Sequence, residues 1–172
     1  MPGPVFLEGD RLTLCLVEPE DATFLACQYN NPKIRYQMGD RSKPYSKEFL
    51  KERIQTRDDE TGFLLYHDDS AVGHVALKHI DLRASTAELG YLIIPNKQGN
   101  GYATEAADLC LTHAFDEIGL HKVWARVMEG NTASRRVLEK LEFQQEGTLR
   151  DQFYWDGEYV DEYRFGLLQS ER

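Results

Sequence analysis

At 172 residues the chain has the length of one domain and enough residues to bury a core. Hydrophobic residues make up 41% and charged residues 28%, and no apolar run approaches the ~20 residues of a helical membrane span. A net charge of −9 argues against nucleic acid as the main partner, because phosphate binding needs a basic face.

Leu7 to Val17 alternates around Arg11–Leu14 and reads as an opening strand. Glu18-Pro19-Glu20-Asp21 is a helix start, with proline and acids in the first turn, and Pro32 ends that helix after Asn30-Asn31. Lys33 to Pro44, with Arg35, Tyr36, Met38 and Arg41, lacks periodicity and reads as a loop that could wall an acceptor site. A second helix begins at Ser46 and runs through Phe49, Leu50, Arg53 and Ile54. Phe63–Tyr66 and Ala71–Leu77 form a hairpin around His67-Asp68-Asp69-Ser70, and Ser85–Ile94 is the next strand.

A glycine-bearing loop follows, and then Ala106, Ala107, Leu109, Cys110, Ala114, Phe115 and Ile118 recur at helical spacing until Gly119. Lys122–Val127 is a strand and Asn131–Leu141 a short helix. Asp156-Gly157 joins two final strands, Leu149–Trp155 and Tyr159–Leu168. The order β-α-α-β-β-β-α-β-α-β-β predicts one mixed α/β domain, with a single mostly antiparallel sheet and helices on both faces.

The stretch from Ile94 to Glu105 organises the rest. Strand, glycine loop and helix in sequence leave main-chain N–H groups unpaired at the positive end of a helix dipole, an arrangement that holds phosphate oxygens. A Walker loop would need Lys and Ser or Thr after Gly101, where Tyr102 stands, and a dinucleotide fingerprint would need glycine at Thr104. Gln98-x-x-Gly101-x-Ala103 instead resembles the pyrophosphate signature of the GNAT superfamily of N-acetyltransferases, which use acetyl-coenzyme A. Gly99-Asn100-Gly101-Tyr102-Ala103-Thr104-Glu105-Ala106 is similar to its ribosomal-protein and spermidine acetyltransferase branch. Asn131-x-x-Ser134 with Leu141-Glu142-Phe143, and the hairpin residues Gly147–Asp151 and Asp156–Asp161, extend the likeness across about residues 7–168. Glu142 departs from the pattern, because the family has glycine there.

This resemblance implies that Gln98, Gly99, Asn100, Gly101, Tyr102, Ala103 and Thr104 hold the pyrophosphate of acetyl-coenzyme A. The strand end at Leu92, Ile93 and Ile94 would receive its pantetheine arm, where family members splay two strands apart. Glu88 stands six residues before Ile94, roughly 20 Å along a strand, and so near the acetyl end. It reads either as a general base or as an exposed strand glutamate. Asn131 is a helix N-cap by position and by resemblance a ligand of the arm. Ser134, one helical turn on, matches a serine that protonates the leaving thiolate, and its alternative is a solvated hydroxyl. Many relatives use a tyrosine where Leu138 stands, so Tyr154 or Tyr159 would be substitutes.

Cys15, Cys27 and Cys110 fall on core-facing elements and the five histidines show no ligand spacing, so neither a nucleophilic cysteine nor a metal site is expected. The start of the chain has no signal-peptide character, which points to the cytosol. Residues 142–172 carry eight acidic and three basic side chains. They read as a solvated surface or as a field drawing cationic amines, small or peptidic. Direct transfer of acetyl to an amine is the expected function, with a homodimer possible. A module that binds acetyl-coenzyme A without turnover and a nicotinamide oxidoreductase are the rivals, the latter disfavoured by Thr104.

Overall fold

The computed structural model describes residues 3–38 and 43–172. Eight strands form one sheet in the order β1-β2-β3-β4-β5-β6-β8-β7. All neighbours are antiparallel except β5 (Thr86–Ile93) and β6 (Lys122–Met128). Helices α1 (Ala22–Asn30), α2 (Pro32–Arg35) and α3 (Lys47–Thr56) cover one face of the first strands. The other face holds the main core with α4 (Tyr102–Thr112) and α5 (Thr132–Lys140).

The predicted opening strand is in fact two, β1 (Val5–Glu8) and β2 (Thr13–Leu16), folded back on each other. Gly9 N–H donates to the Leu12 carbonyl at 2.8 Å and makes the turn that the alternation of apolar residues hid. Pro32 does close α1, but it then opens α2 at the first helical position, where its missing N–H costs nothing. The segment expected as a loop is therefore helical to Met38; Arg41, counted with that wall, lies outside the described residues.

Other boundaries follow local chemistry. The Ser46 side chain accepts from Phe49 N–H at 3.1 Å and caps α3. β3 (Thr61–His67) and β4 (Ser70–Asp81) meet across a two-residue turn. β7 (Gln144–Trp155) begins five residues earlier than expected and pairs with β8 (Glu158–Leu168). Asp156 and Gly157 both have positive φ, at 50° and 91°, as a two-residue turn matched to strand twist requires. Glu142 also sits at φ 65°, so α5 ends in the left-handed conformation even without glycine, at a cost of about 1–2 kcal/mol.

His74 of β4 is buried in the smaller core, its Nδ1 3.4 Å from the Tyr29 hydroxyl. Burial, aided by the charge of Lys78, lowers its pKa from 6.5 to about 4. The folded protein thus keeps this ring neutral while the unfolded chain protonates it below 6.5, so stability falls as pH drops through that window. Urea unfolding is expected to give a stability about 2 kcal/mol lower at pH 5 than at pH 7.5 from this residue. His74→Gln should flatten that part of the profile, and an unchanged slope in the variant would contradict it.

Candidate active site

The parallel pair β5–β6 shares three rungs, the last being Glu88 opposite Trp124. From there β5 stays with β4 as far as Ile93, while β6 follows β8 to Met128. The two strands part at Glu88 and, among the described residues, leave the β5 backbone from 89 to 93 without a strand partner on that side, the Ile93 carbonyl accepting instead from Gln98 Nε2 at 3.0 Å. A cavity of about 490 Å³ occupies the fork and runs from the loop before α4 to the α2–α3 side of the sheet.

At one end lies the glycine loop. Gly99 and Gly101 have φ of 80° and 81°, in the region that favours residues without Cβ. Gly101 is the N-cap of α4 and no side chain caps that helix, so its first-turn N–H groups lack intrahelical partners. Gln98, Gly99, Gly101, Tyr102, Ala103 and Thr104 all border the cavity. Lys97, Arg136 and Lys140 add positive charge to its lining. These features suit a diphosphate, because they combine oriented amides, a helix N-terminus and cations.

The loop is held from behind by a residue the sequence marks only as part of a strand. Glu105 Oε1 accepts from the backbone N–H groups of Arg11 at 2.7 Å and Leu12 at 3.0 Å, and Oε2 accepts from Arg11 Nε at 2.9 Å. Arg11 Nη1 donates to the Asn100 carbonyl at 2.8 Å, and its guanidinium lies 5.3 Å from the centre of the Tyr102 ring. The turn between β1 and β2 thereby fixes the loop's position.

Along the middle of the cavity, Leu92 and Ile93 of β5 face Asn131 and Ser134 of α5. Asn131 Oδ1 accepts from Ser134 N–H at 3.2 Å, so it is an N-cap as well as a lining residue. The Tyr91 hydroxyl donates to the Ser134 carbonyl at 3.2 Å; burial raises its pKa, which keeps its proton in place.

Glu88 is at the apex of the fork and only 4% exposed, so it is not a surface strand residue. Its Oε1 accepts from Arg126 Nε at 2.9 Å, while Oε2 is buried without a hydrogen-bond partner among the described residues. Ile34, Gln37 and Met38 line the far end from one side and Phe153 and Glu162 of the terminal hairpin from the other. The stacked rings of Tyr36 and Trp155, centroids 6.0 Å apart, tie those two walls together.

Residues 11–144 match the family model of the GNAT acetyltransferase domain. The chain belongs to the GNAT acetyltransferase family. It is 30% identical to the uncharacterized N-acetyltransferase p20 of Bacillus licheniformis, over 96% of this chain and 97% of that one. It is 31% identical to YdaF of Bacillus subtilis, a candidate ribosomal N-acetyltransferase, over 95% and 94% respectively. The crystal structure of spermidine N-acetyltransferase from Vibrio cholerae in complex with CoA and spermine superposes with a TM-score of 0.87 at 28% identity, covering 95% of this chain and 98% of that one.

In this acetyltransferase, two of the expected cofactor residues do not border the cavity. Ile94 N–H donates to the Val72 carbonyl at 2.9 Å, which turns it back into the sheet. The Asn100 side chain donates to the carbonyls of Lys97 and Gln98 and so shapes the loop from within. Tyr154 and Tyr159 meet edge to face at the hairpin tip, 68% and 67% exposed, and do not line the cavity. Cys27 is exposed because α1 turns Ala22, Leu25 and Tyr29 inward instead, while Cys15 and Cys110 are buried as expected. Of the eight acidic residues from 142 onward, Glu162 alone lines the cavity; it is ion-paired with Arg164.

Arg11, His79, Tyr91 and Arg126 carry no motif and escape sequence reading. For Arg136 and Lys140 a signal exists, since their four-residue spacing puts both on one side of α5. Among the described residues, no group of three or more His, Cys, Asp or Glu is placed to hold a metal ion, and no helix is long and apolar enough to cross a membrane.

Proposed function

We propose that the protein transfers acetyl from acetyl-coenzyme A directly to a primary amine, with both substrates in one cavity. The observation that carries this reading is the continuity of that cavity. It joins uncapped amides at the start of α4 to the buried carboxylate of Glu88 along an unpaired strand edge. The co-substrate supplies an activated thioester. Gln98 to Thr104 bind its diphosphate, the free edge of β5 at Leu92 and Ile93 orients its arm, and Asn131 faces that arm from α5.

The remaining chemistry is proton handling. A polyamine nitrogen has a reference pKa near ~10.4 and an α-amine one near ~7.7–8.0, so an ammonium must lose a proton before it can attack. Glu88, which borders the cavity and whose Oε2 has no hydrogen-bond partner among the described residues, accepts it. On attack the new C–N bond forms and the C–S bond breaks; the nitrogen's second proton passes through the Ser134 hydroxyl to the leaving sulfur, so the serine ends as it began, with Asn131 Oδ1 fixing its backbone N–H. Tyr91 is the tyrosine available in that part of the cavity.

The acceptor enters between the α2 turn and the terminal hairpin. Its class is a cationic amine, either a polyamine, in line with the spermidine acetyltransferase likeness, or a peptide N-terminus, in line with YdaF. The three unpaired cysteines fit a reducing compartment such as the cytosol. A mixed library of polyamines, amino acids and short peptides, incubated with acetyl-coenzyme A and read by mass and by thiol release, tests the proposal. Mass gain of 42 units per amine (about that of one acetyl replacing one hydrogen) is expected on at least one class. Binding of the co-substrate with no acetylation above the uncatalysed rate would favour a non-catalytic binding module instead.

A further inference from the structure

His79 is the cavity residue that the mechanism above leaves unused. It lies in β4 where the register with β5 shifts between Lys78 and Asp81, and its φ of 50° is left-handed, a conformation few residues with a Cβ adopt. Ile80 N–H donates to the Asp59 carbonyl at 3.0 Å and anchors this bulge. Bulges of this kind re-aim side chains beside functional sites. Here the imidazole reaches the cavity wall, with Nε2 3.6 Å from Glu88 Oε2 and Nδ1 3.7 Å from Asp59 Oδ2.

Exposure rises steeply from Glu88 to its two neighbours on that line. The Glu88 side chain is 6% exposed, that of His79 52% and that of Asp59 47%. Glu88 itself has almost no contact with water, and bound substrates would fill the cavity it borders, so a proton it accepts needs another way out. Arg126 occupies its other oxygen and offers no acceptor for a proton. The charged groups around His79 are Asp59, which also meets Arg57 at 3.6 Å, Glu88 with its partner Arg126, and Lys78 next in the strand.

We propose that Glu88, His79 and Asp59 form the route by which the acceptor's proton leaves the active site. The proposal rests on Glu88 being the base of the proposed function. Glu88 takes the proton from the amine nitrogen, and the neutral His79 ring takes it from Glu88 at Nε2, restoring the carboxylate. The imidazolium then releases its Nδ1 proton to Asp59 or to the water around it, so one proton enters and one leaves with no further reagent. Both gaps exceed a hydrogen bond; such contacts commonly tighten only when substrate is bound. His79 is thus a proton-relay residue, distinct from those that hold the co-substrate.

His79→Asn is the test variant, because asparagine tolerates the left-handed backbone and preserves the bulge. Its kcat/KM for the amine at pH 7 is expected to fall at least about tenfold, with the affinity for acetyl-coenzyme A unchanged. The acid limb that an imidazole imposes on the pH profile should disappear, and added imidazole should restore activity. Wild-type kcat/KM would overturn the route. So would a fall that imidazole does not rescue and that leaves the pH profile intact, since both outcomes describe a structural residue. Glu88→Gln assayed alongside separates the two assignments. Loss of activity there with a wild-type-like His79→Asn defeats the relay alone, whereas a fully active Glu88→Gln removes the base and the relay together.

Discussion

Glu88→Gln is expected to lower kcat about a hundredfold while acetyl-coenzyme A binds as before. The substitution is nearly isosteric, and the glutamine carbonyl can still accept from Arg126 Nε, so the contact that holds position 88 in the fork survives. The amide nitrogen cannot take a proton, and it would stand where Oε2 now has no hydrogen-bond partner among the described residues. The loss should be larger for an amine of high pKa than for an α-amine, because the former arrives almost wholly as ammonium at pH 7. Steady-state kinetics on one amine of each kind, with binding of the co-substrate followed by calorimetry, checks both parts. A variant with wild-type kcat on both amines would remove Glu88 from the chemistry.

The second large effect is expected at the glycine loop before α4. Gly101→Ala adds a Cβ at φ 81°, which costs about 1–2 kcal/mol, and sets that carbon 3.3 Å from Arg11 Nη2. The loop relieves the strain by rotating the amides that follow, which are those proposed to hold the diphosphate. Acetyl-coenzyme A is therefore expected to bind about tenfold more weakly, since 1.4 kcal/mol corresponds to one decade in Kd. Gly99→Ala is the companion variant. Its φ is nearly the same, but a Cβ there meets nothing within 4 Å. Both should lose stability in urea, and Gly101→Ala should lose more affinity. Equal affinities in the two variants would show that the contact between Gly101 and Arg11 does not shape the loop.

Much of this molecule is legible in short stretches of sequence. The loop before α4, the Ser46 and Asn131 caps, and the Asp156-Gly157 turn are all encoded by residues that contact their own neighbours in the chain. Errors arose where local signals conflicted. Alternation from Leu7 to Val17 masks the turn residues Gly9 and Asp10, and Pro32 is both the stop of one helix and the start of the next. The irregular register at His79 left no mark in the sequence, because a bulge exists only relative to the strand beside it.

Spacing along the chain therefore determined, without any coordinates, a mixed α/β domain with a glycine-bearing turn before its long helix and a glutamate one strand-length away, and the likeness of that turn to a known signature pointed to the acetyltransferase family. Only the folded sheet decided what that glutamate touches. Arg126 reaches it from 38 residues later and Arg11 grips Glu105 from 94 residues earlier. Those pairings depend on where β6 leaves β5 and how tightly β1 folds onto β2. Such geometry comes from the packing of distant segments against one core, and a side chain carries no local signature of a neighbour it meets only there.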